Sequence, residues 1–270
     1  MAASLKKYWQ ASKAGWANSL VYRLNFVMWR VRMVVQLLAI YFLWYTITKN
    51  TQNPFGYEQS VLLTYILGTS LVRAIVFSTL STNAQNEISS GDLSNYLIKP
   101  INYFRYWLFR DFSDKALNII FSVVEVIALV WVLKPDIFVP QNLISVIGFL
   151  ILTPLAMILY FYFSLVISMT TFWYPEGNGW PLRFFIFTIL EFLSGGLFPL
   201  DVLPESIFRV IQYLPSTYFL FAPLQVYLGR IEGTDLLSAI GMTMIWIGIF
   251  WMIARFLWNR GLRVYGAYGR

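Results

Sequence analysis

Apolar runs of roughly 20 residues, the length an α-helix needs to cross the hydrocarbon layer, recur along this chain, and no other feature constrains its fold as strongly. They lie at about 31–48, 60–82, 115–133, 143–172, 182–198 and 236–258. Composition agrees: 58% of the residues are hydrophobic and 12% charged, against roughly a quarter charged in an ordinary soluble domain. A soluble fold of 270 residues would need far more polar surface to cover its core. The expected fold class is all-α: a polytopic membrane protein of six transmembrane helices, one domain over 1–270. Near the start, Leu5, Tyr8, Trp9, Trp16 and Leu20 share one helical face, and Lys6, Lys7, Gln10 and Lys13 share the other. This pattern predicts an interfacial helix within 1–22, lying in the headgroup plane. Met1–Gln10 holds no short apolar core with a small-residue cleavage site behind it, so the spans themselves are expected to direct targeting.

The chain has no cysteine and no histidine. Thiol nucleophiles, disulfides and iron–sulfur sites are thereby excluded, zinc loses its two favoured ligands, and a Ser/His/Asp triad is impossible. Asp111 and Asp114 form a D-x-x-D pair, but Arg110 and Lys115 flank them, and they read as a solvated helix start. No catalytic residue and no metal site are expected. The net charge of +7 is explained by orientation. Six spans place both termini, 83–114 and 173–181 on one side. That side holds fifteen basic residues: Lys6, Lys7, Lys13, Arg23, Arg30 and Arg32; Lys99, Arg105, Arg110 and Lys115; and Arg183, Arg255, Arg260, Arg263 and Arg270. The other side holds four, Lys49, Lys134, Arg209 and Arg230, and Arg73 falls inside a span. The excess of positive charge marks the first side as cytoplasmic, with no nucleic acid required.

Three places could carry chemistry or mechanics. In 83–114, the stretch from Glu87 to Pro100 reads as a short helix stopped by Pro100, with Leu93, Tyr96 and Leu97 on a narrow apolar arc. It is either a solvated connector or a docking helix for a cleft on a cytoplasmic partner. In 199–230, Asp201–Leu214 is amphipathic, and 215–229 is apolar but interrupted by Pro215, Pro223 and Gly229. An external interfacial helix followed by a re-entrant hairpin is predicted, entered through a break at Gly195, Gly196 and Pro199. Gly195, Gly196, Pro199, Pro204 and Pro215 would then form an external gate. Finally, Arg73, Glu125 and Glu191 are ionisable residues within spans. They line a pathway, form structural pairs or snorkel. The 19% aromatic content fits interfacial belts and helix packing better than an aromatic cavity.

The pattern Glu-x-x-Ser-Gly-x-Leu-x-x-x-Leu-x-x-Pro over 87–100 resembles the coupling helix of the ABC-2 family of ATP-binding cassette permeases. The stretch from Phe192 to Asp201, with Leu203-Pro204 and Leu214-Pro215, is similar to that family's segment between its last two spans. The tail from Leu257 to Gly269 resembles one branch of its bacterial permeases. The resemblance implies a type V ABC exporter-like fold in a bacterial cell (inner) membrane, with both termini cytoplasmic. It implies that Glu87, Ser90, Gly91, Leu93, Leu97 and Pro100 couple to an ATPase. The chain has no Gly-Lys dipeptide and so no G-x-x-x-x-G-K-[ST] loop. ATP and Mg are therefore expected on separate ABC ATPase subunits, with a second permease subunit completing a homo- or heterodimer in membrane lipid. This chain is expected to be no enzyme and to bind no cofactor. An ion-coupled secondary transporter is the alternative, though broken helices occur only in the second half and no internal repeat is evident. A membrane-embedded lipid enzyme is a weaker one.

Overall fold

The computed structural model describes residues 23–50, 54–177 and 179–266; the interfacial helix expected within 1–22 lies outside them. In chain order the helices are α1 (Arg23–Asn50), α2 (Gln59–Val76), α3 (Ala84–Ser89), α4 (Ser94–Leu97), α5 (Tyr103–Leu133), α6 (Leu143–Met169), α7 (Trp180–Leu193), α8 (Glu205–Ile211), α9 (Phe221–Tyr227) and α10 (Gly233–Val264). Short 3-10 turns join several of them, and there is no strand among the described residues.

Five segments are long and apolar enough to cross a membrane: Val27–Asn50, Gln59–Val76, Tyr103–Leu133, Leu143–Phe172 and Gly233–Val264. Their boundaries correct two of the sequence expectations. The second span ends at Val76 rather than near 82. Ser78, Thr79 and Ser81 follow, and their hydroxyls bond locally in competition with the helical backbone. The third helix begins at Tyr103 rather than 115, started by the Asn102 side chain, which accepts from the Arg105 amide at 3.0 Å. It stops where Lys134 takes a left-handed conformation ahead of Pro135. Pro154 lies within α6, which runs through it.

The run expected to be a fifth span, 182–198, is helical only as α7. Its 14 residues extend about 21 Å, short of a full crossing. The chain nevertheless continues along α2. Arg183 bonds Gln85, Glu191 pairs with Arg73, the Gly195 carbonyl accepts from Tyr65, and Asp201 accepts from Tyr57. Later residues thus meet progressively earlier ones, and this segment runs antiparallel to α2 from one end to the other. It is helical as far as Leu193 and irregular beyond.

α2 is central, packed on α1, α5, α6 and α9, while α6 lies along α10. α8 and α9 have seven residues each and neither is long enough to span. α8 lies at the surface, with Ile207 and Val210 exposed. α9 is buried between α2 and α6. Leu224 sits where a side chain on Gly68 would be, 2.7 Å from that Cβ position, and Val226 similarly abuts Gly148 at 2.8 Å. Small residues here let α9 enter the helix bundle. Leu62, Ile66, Leu152, Leu159, Phe219 and Leu224 belong to the larger core; Ile88, Leu93, Trp107, Phe161 and Leu165 form a second one at the Glu87 end. Outward faces of α1, α5, α7 and α10 carry large exposed apolar side chains, among them Val35, Trp131, Phe185 and Leu237.

Candidate functional site

Three polar constellations lie along the path of α2. The first contains the intramembrane charges, and each carboxylate has a partner. Glu191 on α7 pairs with Arg73 on α2. Glu125 on α5 takes a forked contact from Arg30 on α1, with Nε to Oε1 at 2.7 Å. All four side chains are largely buried, so none projects into lipid. Ion pairing is the economical arrangement where water is scarce. Next to Arg73, a side chain on Gly196 would overlap the guanidinium. Gly196 is thus the space in which the ion pair sits.

The second constellation is the break after α7. Gly195 has φ of 82°, left-handed backbone that suits glycine. The groups released from the helix ladder are bonded by protein: Tyr65 donates to the Gly195 carbonyl at 2.7 Å, the Phe221 amide to the Ser194 carbonyl at 3.0 Å, and the Trp44 indole to the Leu197 carbonyl at 3.0 Å. Gly195, Gly196 and Pro199 are buried together here. Pro204 lies exposed ahead of α8, and Pro215 opens the 3-10 turn before α9. At the end of the break, Asp201 accepts from Tyr57 at 2.7 Å. The Gln225 amide donates to the Tyr57 oxygen, and Arg230 lies 3.3 Å from Asp201 and 4.0 Å from the Tyr57 ring centroid. Burial, and then the Asp201 charge, raise the Tyr57 pKa well above its ordinary value, so the phenol remains a donor. This knot joins the loop before α2, the break, α9 and the chain after it.

The third lies at the opposite end of α2, in the stretch containing Glu87 and Pro100. It folds as two short helices, α3 and α4, separated by Gly91 with φ of 81°. Glu87 accepts from Tyr103 at 2.7 Å, and burial raises its carboxyl pKa. Ser90 is exposed and donates to Asp92 at 2.9 Å. Leu93, expected on an exposed apolar arc with Tyr96 and Leu97, is 0% exposed and packed in the second core. Gly91 turns the chain between α3 and α4, which points Leu93 inward. The exposed apolar residues are Leu97 and, most of all, Ile98 at 83%. With Glu87, Asp92, Asn95, Tyr96 and Lys99, Ile98 borders an open cleft of about 420 Å³. Pro100 is exposed in the turn that leads to α5.

The sequence reading missed the root of this stretch. Asp111, expected to be solvated, is 1% exposed, and Lys115 is 3% exposed. Opposite charges at i, i+4 just inside an apolar helix were the available signal. Arg183 is also buried, donating to Gln85, Ser164 and Ser168 at 2.7–3.1 Å. Nothing in its sequence neighbourhood names these partners.

A family model described as ABC-2 family transporter protein matches residues 34–269. No curated protein matches the chain significantly. The match spans all five candidate membrane segments but the first turns of the first, and both irregular constellations, so the chain belongs to the ABC-2 family, as a membrane permease component of an ABC transporter.

Proposed function

We propose that this permease is one half of an ATP-driven exporter, energised by a separate ABC ATPase that docks on the stretch from Glu87 to Pro100. The observation that carries the reading is the shape of that stretch. Its base is buried and hydrogen-bonded, while Leu97 and Ile98 project beside an open cleft. A rigid base with an exposed apolar tip suits a partner that pushes on it, and Ile98 takes the anchoring role that Leu93, being buried, leaves vacant. The side bearing this stretch is cytoplasmic by the charge count, in a bacterial inner membrane, and a second permease subunit completes the pathway. The segment from α7 to Asp201 is the fifth of six crossings, part helix and part irregular chain. The break at Gly195, Gly196 and Pro199, with α8 and the buried α9 as a re-entrant hairpin, forms the gate at the external end. ATP and Mg bind the partner ATPase.

The test is to purify the tagged permease from native membranes and identify chains that co-purify. A chain bearing G-x-x-x-x-G-K-[ST] is expected with the parent protein. With Ile98→Asp that chain should be lost, because a charge at the anchor must be desolvated. Absence of any such chain from the parent preparation, or its undiminished recovery with Ile98→Asp, would sink this docking model.

A further inference from the structure

Two charged side chains of α5 reach the backbone of the link between α2 and the stretch that follows. α2 ends at Val76, and a helix end leaves its last carbonyls without helical partners. The Lys115 ammonium fills that place, donating to the carbonyls of Ile75 at 2.9 Å, Val76 at 3.3 Å and Ser78. One turn earlier on α5, Asp111 faces the other side of the break. Its carboxylate accepts from the amides of Leu80 at 2.8 Å and Ser81 at 3.0 Å and from the Thr79 hydroxyl. These begin the 3-10 turn Leu80–Asn83 that leads into α3. Each charge therefore meets the backbone groups that attract it: a cation on carbonyls, an anion on amides. Asp111 and Lys115 are not in salt-bridge contact with each other, so they act on the two sides of the break rather than as an ion pair. Ser81 is further fixed to Ser164 and Ser168 on α6, and Gln85 to Arg183 on α7.

We propose that Asp111 and Lys115 are positioning residues, forming a two-sided clamp by which α5 locks the Glu87–Pro100 stretch to the end of α2. A force on that stretch is then delivered to α2 and α5 together instead of being absorbed in a flexible link. The mechanical consequence rests on the proposed docking role; the clamp itself does not. A direct ion pair between the two residues would survive their exchange. This clamp has a direction, because exchanging the two residues would place a carboxylate on carbonyls and an ammonium on amides.

The chain has no native cysteine, so spin labels at Asn86→Cys and Ile127→Cys report the position of α3 against α5 in the full-length protein. Electron–electron distance measurements in nanodiscs should give one narrow distribution. Asp111→Asn and Lys115→Met should each broaden it about twofold or split it, as local opening does. Lys115→Arg, which still donates to carbonyls, should restore the parent width. The exchanged pair Asp111→Lys with Lys115→Asp should remain broad. A second label pair, Ile127→Cys and Leu237→Cys, monitors the distant part of the fold. If the charge variants disturb that pair too, Thr79→Val decides, since it carries no charge, removes the hydroxyl's contact to Asp111 along with its local bonds to Ser81, and should still broaden the first distribution. Unchanged width in the single variants or in Thr79→Val, or rescue by the exchanged pair, would overturn the clamp. Recovery of an ATPase chain is read separately, so failure of docking and failure of the clamp are told apart.

Discussion

Charged side chains in this protein are placed by what neutralises them. Arg73 and Arg30 have carboxylates, Lys115 has helix-end carbonyls, and Arg183 has hydroxyls, a carbonyl and an amide oxygen. Hydrogen bonds to charged groups contribute about 1.5–3 kcal/mol each, so these positions hold the helices in register and not only in contact. Glu87 differs in that burial, rather than a partner charge, dominates its protonation. Its pKa is raised, first by burial and against the lowering effect of the Tyr103 hydroxyl. The folded carboxyl then binds its proton more tightly than the unfolded one. Folding is favoured on the acid side and loses this contribution as pH rises through the folded pKa. Glu87→Gln keeps an acceptor for Tyr103 and removes the charge. Its unfolding midpoint in detergent should match that of the parent below about pH 4, exceed it increasingly as pH rises through the folded carboxyl's pKa, and keep a constant margin above that. A difference that stays flat from acid to neutral pH would refute the assignment.

At the scale of elements, the decisive feature is that the segment from α7 to Asp201 stops being helical partway along α2. Gly195 permits the turn, Tyr65 and Trp44 take up the freed carbonyls, and Phe221 connects the break to the start of α9. Such a break survives only where protein satisfies the backbone, because lipid offers no partners. Gly195→Ala would force a Cβ into left-handed backbone and against the Tyr65 hydroxyl. It should cost about 1–3 kcal/mol of stability, measured as a lowered unfolding midpoint. Tyr65→Phe, which strands the Gly195 carbonyl, should fall within a similar range. If neither substitution lowers the midpoint, the break is not held as the hydrogen bonds imply. The buried position of α9 follows from the same logic: its apolar residues fill space between α2 and α6 that glycine leaves open.

For the whole molecule, the two irregular regions lie at opposite ends of α2, and the proposed orientation makes one cytoplasmic and the other external. Ser90 and Glu205 are exposed residues of the two ends. In the cysteine-free background, Ser90→Cys should react with an impermeant maleimide only after the membrane is opened, and Glu205→Cys in intact cells. Labelling of both from the same side would contradict the arrangement. Membership in the ABC-2 family favours the ATP-driven reading over the ion-coupled one considered from the residues alone.

By itself the sequence determined the all-helical membrane class, the place of five of the spans though not the end of the second or the start of the third, and the family. These follow from local properties: apolar length, helix-stopping Gly and Pro, and short motifs whose spacing survives without three-dimensional context. The tertiary structure decided what depends on distant partners. Glu125 and Arg30 are 95 residues apart, and Glu191 and Arg73 are 118 apart; no periodicity encodes which cation a buried carboxylate will meet. The same limit explains Leu93 and Asp111. One sat on an apolar arc and the other in a charged run, yet both are buried because the Gly91 turn and the end of α2 bring backbone and core to them. Side-chain type sets the cost of burial, but the fold supplies the partner that offsets it.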